Sequence, residues 1–207
     1  MISPTLDFET QLWSQGHNLV CGLDEVGRGS FAGPVVTGCV IFPSNIILPK
    51  GIKDSKLLTP KKREELSVII KKEALYWAVG EIDVTCINEV GIGEATQLAF
   101  LKAIENLKQT PDYYLIDAFF IKNLDRGKQK PIIGGDKICA TISAASIIAK
   151  VYRDDLMREL HKEYPQYNWA QNKGYGTLEH REAIKKYGLC RIHRKSFNLA
   201  RFTNEDL

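Results

Sequence analysis

Short apolar runs alternate along this chain with stretches whose apolar residues recur at helical spacing. Leu19 to Leu23 is apolar and runs into Asp24-Glu25-Val26-Gly27-Arg28-Gly29; after Phe31-Ala32-Gly33-Pro34 comes a second apolar run, Val35 to Phe42. Two β-rich runs around a glycine-bearing turn predict an antiparallel pair. A loop with Asp54-Ser55-Lys56 leads to Thr59-Pro60, an N-cap followed by proline at the first helical position, and predicts a helix through Arg63, Leu66, Ile69 and Ile70. Leu75 to Val84 places Tyr76, Ala78, Gly80 and Ile82 on one face of a third strand, and Ile92 to Leu107 carries Ala95, Leu98, Ala99, Ala103 and Leu107 at helical spacing. Tyr113 to Ile116, ending at Asp117, and Pro131 to Ile133, ending near Asp136, predict two short strands. Ile138 to about Glu163 predicts a long helix, rich in small residues at first and charged later, that stops at Tyr164-Pro165. This order predicts an α/β chain with a mixed sheet and helices packed on it.

Composition narrows the picture. The 207 residues are 44% apolar and 26% charged, which excludes a fibre or a disordered tail. A net charge of +3 excludes a histone-like polycation, so any nucleic-acid role must come from how charge is distributed. Between Arg181 and Arg201 the basic residues Arg181, Lys185, Lys186, Arg191, Arg194, Lys195 and Arg201 face only Glu182. Alone, such a run is a solvated face; beside a duplex-binding cleft it is a footprint for phosphates. Five dispersed cysteines form no C-x-x-C pair and suit reduced thiols, and His180 and His193 are too scattered for a zinc site. The first twenty residues lack an unbroken apolar stretch, and Ile138 to Ala149 is too short to cross a bilayer. The expectation is a cytoplasmic protein without a membrane partner, and a monomer.

Asp24, Glu25, Asp117 and Asp136 each follow an apolar run and precede a turn or a new element. Strand ends gather ligands in sheets of this kind. Four carboxylates held close together repel unless a cation neutralises them, and all-oxygen donors suit Mg²⁺ or Mn²⁺. Two such ions would serve phosphodiester cleavage. Strand alternation sends Asp24 and Glu25 to opposite faces, and a bend at Gly27 would let both approach one cluster. Four ordinary solvated carboxylates at strand ends remain the alternative.

The blocks DEVGRGSFAGPV (24–35), KDSKLLT (53–59), LIDAF (115–119), GGDKICATISAASIIAKVYRD (134–154) and NKGYGTLEH (172–180) resemble ribonuclease HII, in the family's order. The resemblance implies a ribonuclease H-like fold: a mixed five-stranded sheet flanked by helices, with a C-terminal helical extension. It divides the chain into an N-terminal segment (1–18), a catalytic core (19–163) and a basic helical region packed on the core (164–207). It implies an endoribonuclease acting on the RNA strand of RNA–DNA hybrids and cutting 5′ of ribonucleotides embedded in duplex DNA. Two divalent ions, Mg²⁺ or Mn²⁺, held by Asp24, Glu25, Asp117 and Asp136, would yield 3′-hydroxyl and 5′-phosphate ends. Gly27, Arg28 and Gly29 match the segment that reads the ribose 2′-OH, Tyr175 the tyrosine placed against the junction nucleotide, and Lys56 a phosphate-contacting lysine. Lys53 is a weaker candidate for that last role.

Asp54 fits a loop cap or an orienting acid; Ser143, Ala144, Ala145 and Ser146 fit tight helix packing; Arg153 and Asp154 fit surface or structural ion pairs. Leu57 and Ala118 depart from the family pattern, which often has lysine and glycine there. The rivals are a non-catalytic duplex-binding module, a ribonuclease HIII (expected to carry an added N-terminal domain) and a junction resolvase. No sliding-clamp motif is readable in Phe202 to Leu207.

Overall fold

The structure, a computed structural model, describes residues 3–203. Residues 204–207, on which the sliding-clamp reading partly falls, lie outside the described residues. Five strands, β1 (Val20–Val26), β2 (Val35–Ile41), β3 (Tyr76–Ile82), β4 (Tyr113–Asp117) and β5 (Gln129–Ile132), form one sheet in the order β3-β2-β1-β4-β5. The β1–β2 and β2–β3 pairs are antiparallel, while β1–β4 and β4–β5 are parallel. The mixed five-stranded sheet with flanking helices is therefore present. Because β1, β4 and β5 run the same way, their C-terminal ends open on one edge.

The helices are α1 (Asp7–Ser14), α2 (Pro60–Glu73), α3 (Val84–Glu105), α4 (Gly135–Ile138), α5 (Ala140–Glu163), α6 (Trp169–Asn172) and α7 (Leu178–Tyr187). Thr59 caps α2 through the Lys62 N–H with Pro60 at the first position, as its sequence predicts. Several boundaries move: β1 continues past its apolar run to Val26, and β5 spans Gln129–Ile132 rather than Pro131–Ile133. The α3 helix starts at Val84 rather than Ile92, capped by Asp83, because a non-helical Gly91 (φ 79°, ψ 158°) hides one helical unit from the apolar spacing. The third strand accordingly ends at Ile82. The long helix starts at Ala140, since the extended Cys139 (φ −112°, ψ 125°) separates it from the single turn α4.

Strand alternation sorts the core onto two faces. Cys21 and Leu23 of β1, with Tyr114 and Ile116 of β4, pack against Phe100 and Ala103 of α3. On the other face Val20, Leu115 and Ile132 meet Ile142 of α5, and Val40 meets Ala144, Ala145 and Ile148. The α5 helix lies so close that a Cβ on Gly22 would fall 2.3 Å from the Thr141 carbonyl carbon, and one on Gly38 2.4 Å from the Ala145 oxygen. The small residues of α5 are thus packing residues, as expected, and they bring its polar Ser146 over the end of β1. At its N-terminus Glu9 of α1 accepts from the Thr141 N–H (2.8 Å) and hydroxyl (2.7 Å), a carboxylate set against the positive end of the helix. Nothing in the linear pattern marks Glu9 for this. A separate cluster of Met157, Tyr167, Trp169, Ala183 and Ile184 carries the C-terminal residues against Ala32.

Candidate active site

Asp24 lies on the α5 face near the C-terminal end of β1, opposite Gly38, and only 5% of it is exposed. Asp117 is the last residue of β4, on the same face. Its Oδ1 accepts from the Gly135 N–H (2.7 Å), which ties it to the turn carrying Asp136. Asp136 sits in the one-turn helix α4, just beyond β5, and is 3% exposed. Glu25 takes the alternate face, as strand periodicity requires. The strand continues to Val26 before the chain turns at Gly27 (φ +84°). Glu25 stays within electrostatic reach because the group lies at the sheet's edge, where both faces are near.

The charges are poorly compensated. Burial, then Glu25, Asp117 and Asp136, push the Asp24 carboxyl well above its ordinary range, with a hydrogen bond from Ser146 working the other way. Burial and Asp117 raise Glu25 against the opposing pull of Arg28 and Lys56. Burial also raises Asp117, against the Gly135 amide, with Asp136 adding to the rise. The nearest cation, Lys56, stands 3.6 Å from Asp136 with its side chain 77% exposed. Partial burial works against its ammonium, but Asp136, Asp54 and Asp24 outweigh that and hold its pKa above the ordinary value. Glu25 Oε2 is buried without a hydrogen-bond partner.

Among the described residues no three His, Cys, Asp or Glu side chains have closed around a single point. The donor chemistry nevertheless fits a hard divalent cation: oxygen only, several negative charges to one lysine, and an orphaned oxygen facing no donor.

Around this corner the loops are held from behind. Asp54 caps the turn at Ser55–Leu57 by accepting from the Lys56 N–H (2.9 Å), the first of the two roles expected of it. Ser55 and Ser146 share a 2.8 Å hydroxyl hydrogen bond, and Arg63 donates to the Ser55 and Leu58 carbonyls (2.8 and 2.6 Å). The Arg28 guanidinium lies 4.7 Å from the Phe119 ring centroid. Ala118 sits at φ 58°, a left-handed conformation that explains why glycine would be at home there. A Cβ on Gly29 would meet nothing within 4 Å, so packing does not account for that glycine. Tyr175 is 37% exposed, with Arg153 and Lys150 5.8 and 5.9 Å from its ring.

A family model for ribonuclease HII matches residues 21–200. The ribonuclease HII of Caldanaerobacter subterraneus subsp. tengcongensis is 50% identical over 190 residues, 92% of this chain and 78% of that one. The ribonuclease H2 of Pyrococcus horikoshii OT3 shares the fold at a TM-score of 0.73 and 28% identity, covering 88% of this chain and 95% of its own. The ribonuclease HII of Archaeoglobus fulgidus, solved in complex with PCNA, gives 0.75 and 26%, covering 91% and 100%.

This chain belongs to the ribonuclease HII family.

As a ribonuclease HII it is a hydrolase, an endonuclease of the ribonuclease H class that acts on RNA–DNA hybrids. Among the described residues no helix is long and apolar enough to cross a membrane. Two expectations about its side chains need correcting. Of the surface or structural ion pairs expected for Arg153 and Asp154, those of Asp154 are present, with Arg63 and Lys150 (3.5 and 2.6 Å), whereas Arg153 is fully buried and donates instead to the carbonyls of Pro34, Ala32 and Lys173 (2.9, 3.0 and 2.9 Å). The basic run after Arg181 is not one phosphate-facing surface either. Arg194 is fully buried and Arg191 pairs with Glu163 at 3.1 Å.

His180 and His193, scattered in sequence, meet in space with Nε2 atoms 3.1 Å apart. The Trp169 indole donates to His180 Nε2 (3.1 Å), and the Cys190 N–H donates to His193 Nδ1 (3.0 Å). His180 Nδ1 faces the Tyr175 carbonyl at 3.0 Å, so this buried pair braces the loop that presents Tyr175.

Proposed function

We propose that this ribonuclease HII hydrolyses the RNA strand of hybrids at the corner formed by Asp24, Glu25, Asp117 and Asp136, and also cuts 5′ of single ribonucleotides in duplex DNA. The observation that carries this reading is the uncompensated negative charge around buried Asp24, with Glu25 Oε2 left without a donor. Added positive charge stabilises such a site. Two Mg²⁺ or Mn²⁺ ions, when bound, would supply activation of water and stabilisation of the departing 3′ oxygen. Asp24, Glu25, Asp117 and Asp136 would hold them, leaving 3′-hydroxyl and 5′-phosphate ends.

The remaining side chains bind and orient. Lys56, exposed and leaning on Asp136, is free to turn its ammonium to a substrate phosphate. Gly29, open on its Cβ side, admits a ribose close to the backbone at the Gly27-Arg28-Gly29 turn, where the 2′-OH separates RNA from DNA. Tyr175 offers a half-exposed ring to the junction nucleotide. The 2′-OH serves recognition and is not the nucleophile; His180 and His193, the partners an acid–base ribonuclease would need, are committed to each other. We further propose that residues 19–163 form the catalytic core behind the segment 1–18, that 164–207 complete the substrate face, and that the protein works as a cytoplasmic monomer. Five free thiols suit that compartment.

The decisive experiment is cleavage of a DNA duplex containing one ribonucleotide, with the metal varied and the ends mapped. Cleavage 5′ of the ribonucleotide, lost in EDTA and restored by Mg²⁺ or Mn²⁺, is expected. Undiminished cutting in EDTA, or a 2′,3′-cyclic phosphate product, would overturn the reading.

A further inference from the structure

The stretch joining the Gly27-Arg28-Gly29 turn to β2 belongs to no regular element, yet Ser30, Ala32 and Pro34 along it are buried. Its carbonyls must find donors within the protein. Two arginines from elsewhere in the chain supply them. Arg153, midway along α5, donates Nε to the Pro34 carbonyl (2.9 Å) and Nη2 to that of Ala32 (3.0 Å). Arg194, beyond α7, donates Nε to the Gly33 carbonyl (2.9 Å) and Nη1 to that of Arg28 (2.9 Å), and its own N–H donates to the Phe31 carbonyl (2.8 Å). The carbonyls of residues 28 and 32–34 are thus taken by two side chains, and that of Phe31 by the Arg194 backbone.

Both guanidinium groups are fully buried, and neither is in salt-bridge contact with a carboxylate among the described residues. Burying a cation without an anion is costly, so the geometry it enforces calls for a reason. A planar fork fixes several carbonyls in one relation, which an ammonium cannot do.

The Arg153 fork also reaches the segment that carries Tyr175. The third donor of Arg153, Nη1, reaches the Lys173 carbonyl (2.9 Å) two residues before Tyr175, and its guanidinium carbon is 5.8 Å from the Tyr175 ring. The Gly174 carbonyl returns the link by accepting from the Phe31 and Ala32 amides (2.8 and 3.3 Å). At Gly27, where φ is +84°, a Cβ would stand 2.1 Å from Arg153 Nε, so the turn closes directly onto the arginine.

We infer that Arg153 and Arg194 are positioning residues for sugar recognition: they fix the Gly27–Gly29 turn against Tyr175 and thereby set the preference for RNA–DNA hybrid over all-DNA duplex. The inference rests on the reading above that this turn and Tyr175 face the ribose. Neither arginine touches substrate in this scheme; each acts through backbone that does.

The test uses the full chain with Arg153→Lys and Arg194→Lys, which keep the charge but lose the fork. Dissociation constants are measured for an RNA–DNA hybrid and for an all-DNA duplex of the same sequence, with Ca²⁺ replacing Mg²⁺ to hold off cleavage. Hybrid affinity should fall about tenfold, equivalent to about 1.4 kcal/mol, while all-DNA affinity stays within about twofold. Hydrogen exchange at residues 28–34 should rise while the sheet keeps its protection. Where Arg153→Lys fails to fold, Arg194→Lys decides, since its side-chain bonds fall on the turn segment alone. An unchanged hybrid preference, or an equal loss for both duplexes, overturns the inference and leaves the arginines as structural residues. A wild-type protein that binds both duplexes alike would instead overturn the ribose reading itself, before any substitution is made.

Discussion

Two regions of this molecule bury ionisable groups, and they handle them in opposite ways. In the carboxylate corner, Asp24, Glu25 and Asp117 are all pushed toward the neutral form by burial and by neighbouring carboxylates, Asp136 among them, and one carboxylate oxygen has no donor. In the C-terminal hub, His180 and His193 are buried as well, but they satisfy one another, Trp169, Cys190 and the Tyr175 carbonyl. The histidines make a finished structure. The carboxylates make an unfinished one, and excess negative charge that the fold leaves open is the mark of a candidate ligand site.

The largest expected effect comes from Asp24→Asn. Cleavage of a hybrid should drop by about three orders of magnitude or more, because the site would lose an anionic ligand for the divalent ions. The same change should stabilise the metal-free protein by roughly 0.5–2 kcal/mol in denaturant titrations, since it removes a buried repulsion. A variant less stable than wild type would mean that the corner is better compensated than its geometry indicates.

The pH dependence of stability separates the two regions further. Asp24, Glu25 and Asp117 have folded pKa values above their unfolded ones, so without metal the folded state binds more protons and their contribution improves as pH falls through those raised values. The hub runs the other way. Burial, then His180, lowers His193 to about 3, and burial lowers His180, so the stability they contribute is present above pH 6.5 and is lost as pH falls below it. Melting curves of His193→Gln should show a shallower acid loss than wild type, whereas Asp24→Asn should lose the acid gain. Parallel pH profiles for both variants would erase the contrast.

Smaller effects sharpen it. Tyr175→Ala should weaken hybrid binding by about 1–3 kcal/mol, the range for one lost stacking platform, with little change in melting temperature. Ala118→Gly should raise stability by roughly 0.5–1 kcal/mol by relieving the left-handed backbone at φ 58°, with activity unchanged; a fall in melting temperature would show that the turn is not strained.

Much of this was legible in the linear chain, for identifiable reasons. Thr59-Pro60 announces α2 because capping is local, and the apolar runs announce the strands because periodicity is local too. Gly91 broke the periodicity that would have revealed the start of α3, since one left-handed residue resets the helical phase. Arg153 read as half of a surface or structural ion pair because nothing in its neighbourhood along the chain shows that the carbonyls of Ala32 and Pro34, some 120 residues away, are its partners. The two histidines looked scattered for the same reason.

The sequence by itself determined most of the elements and the family, and it singled out the acidic quartet as candidates, because capping, periodicity and motif blocks are encoded within a few residues of each other. Only the tertiary structure decided which charges are left uncompensated and which are silently satisfied. Compensation depends on distance through space and on exclusion of water, and a buried arginine and a solvated one are written with the same letter.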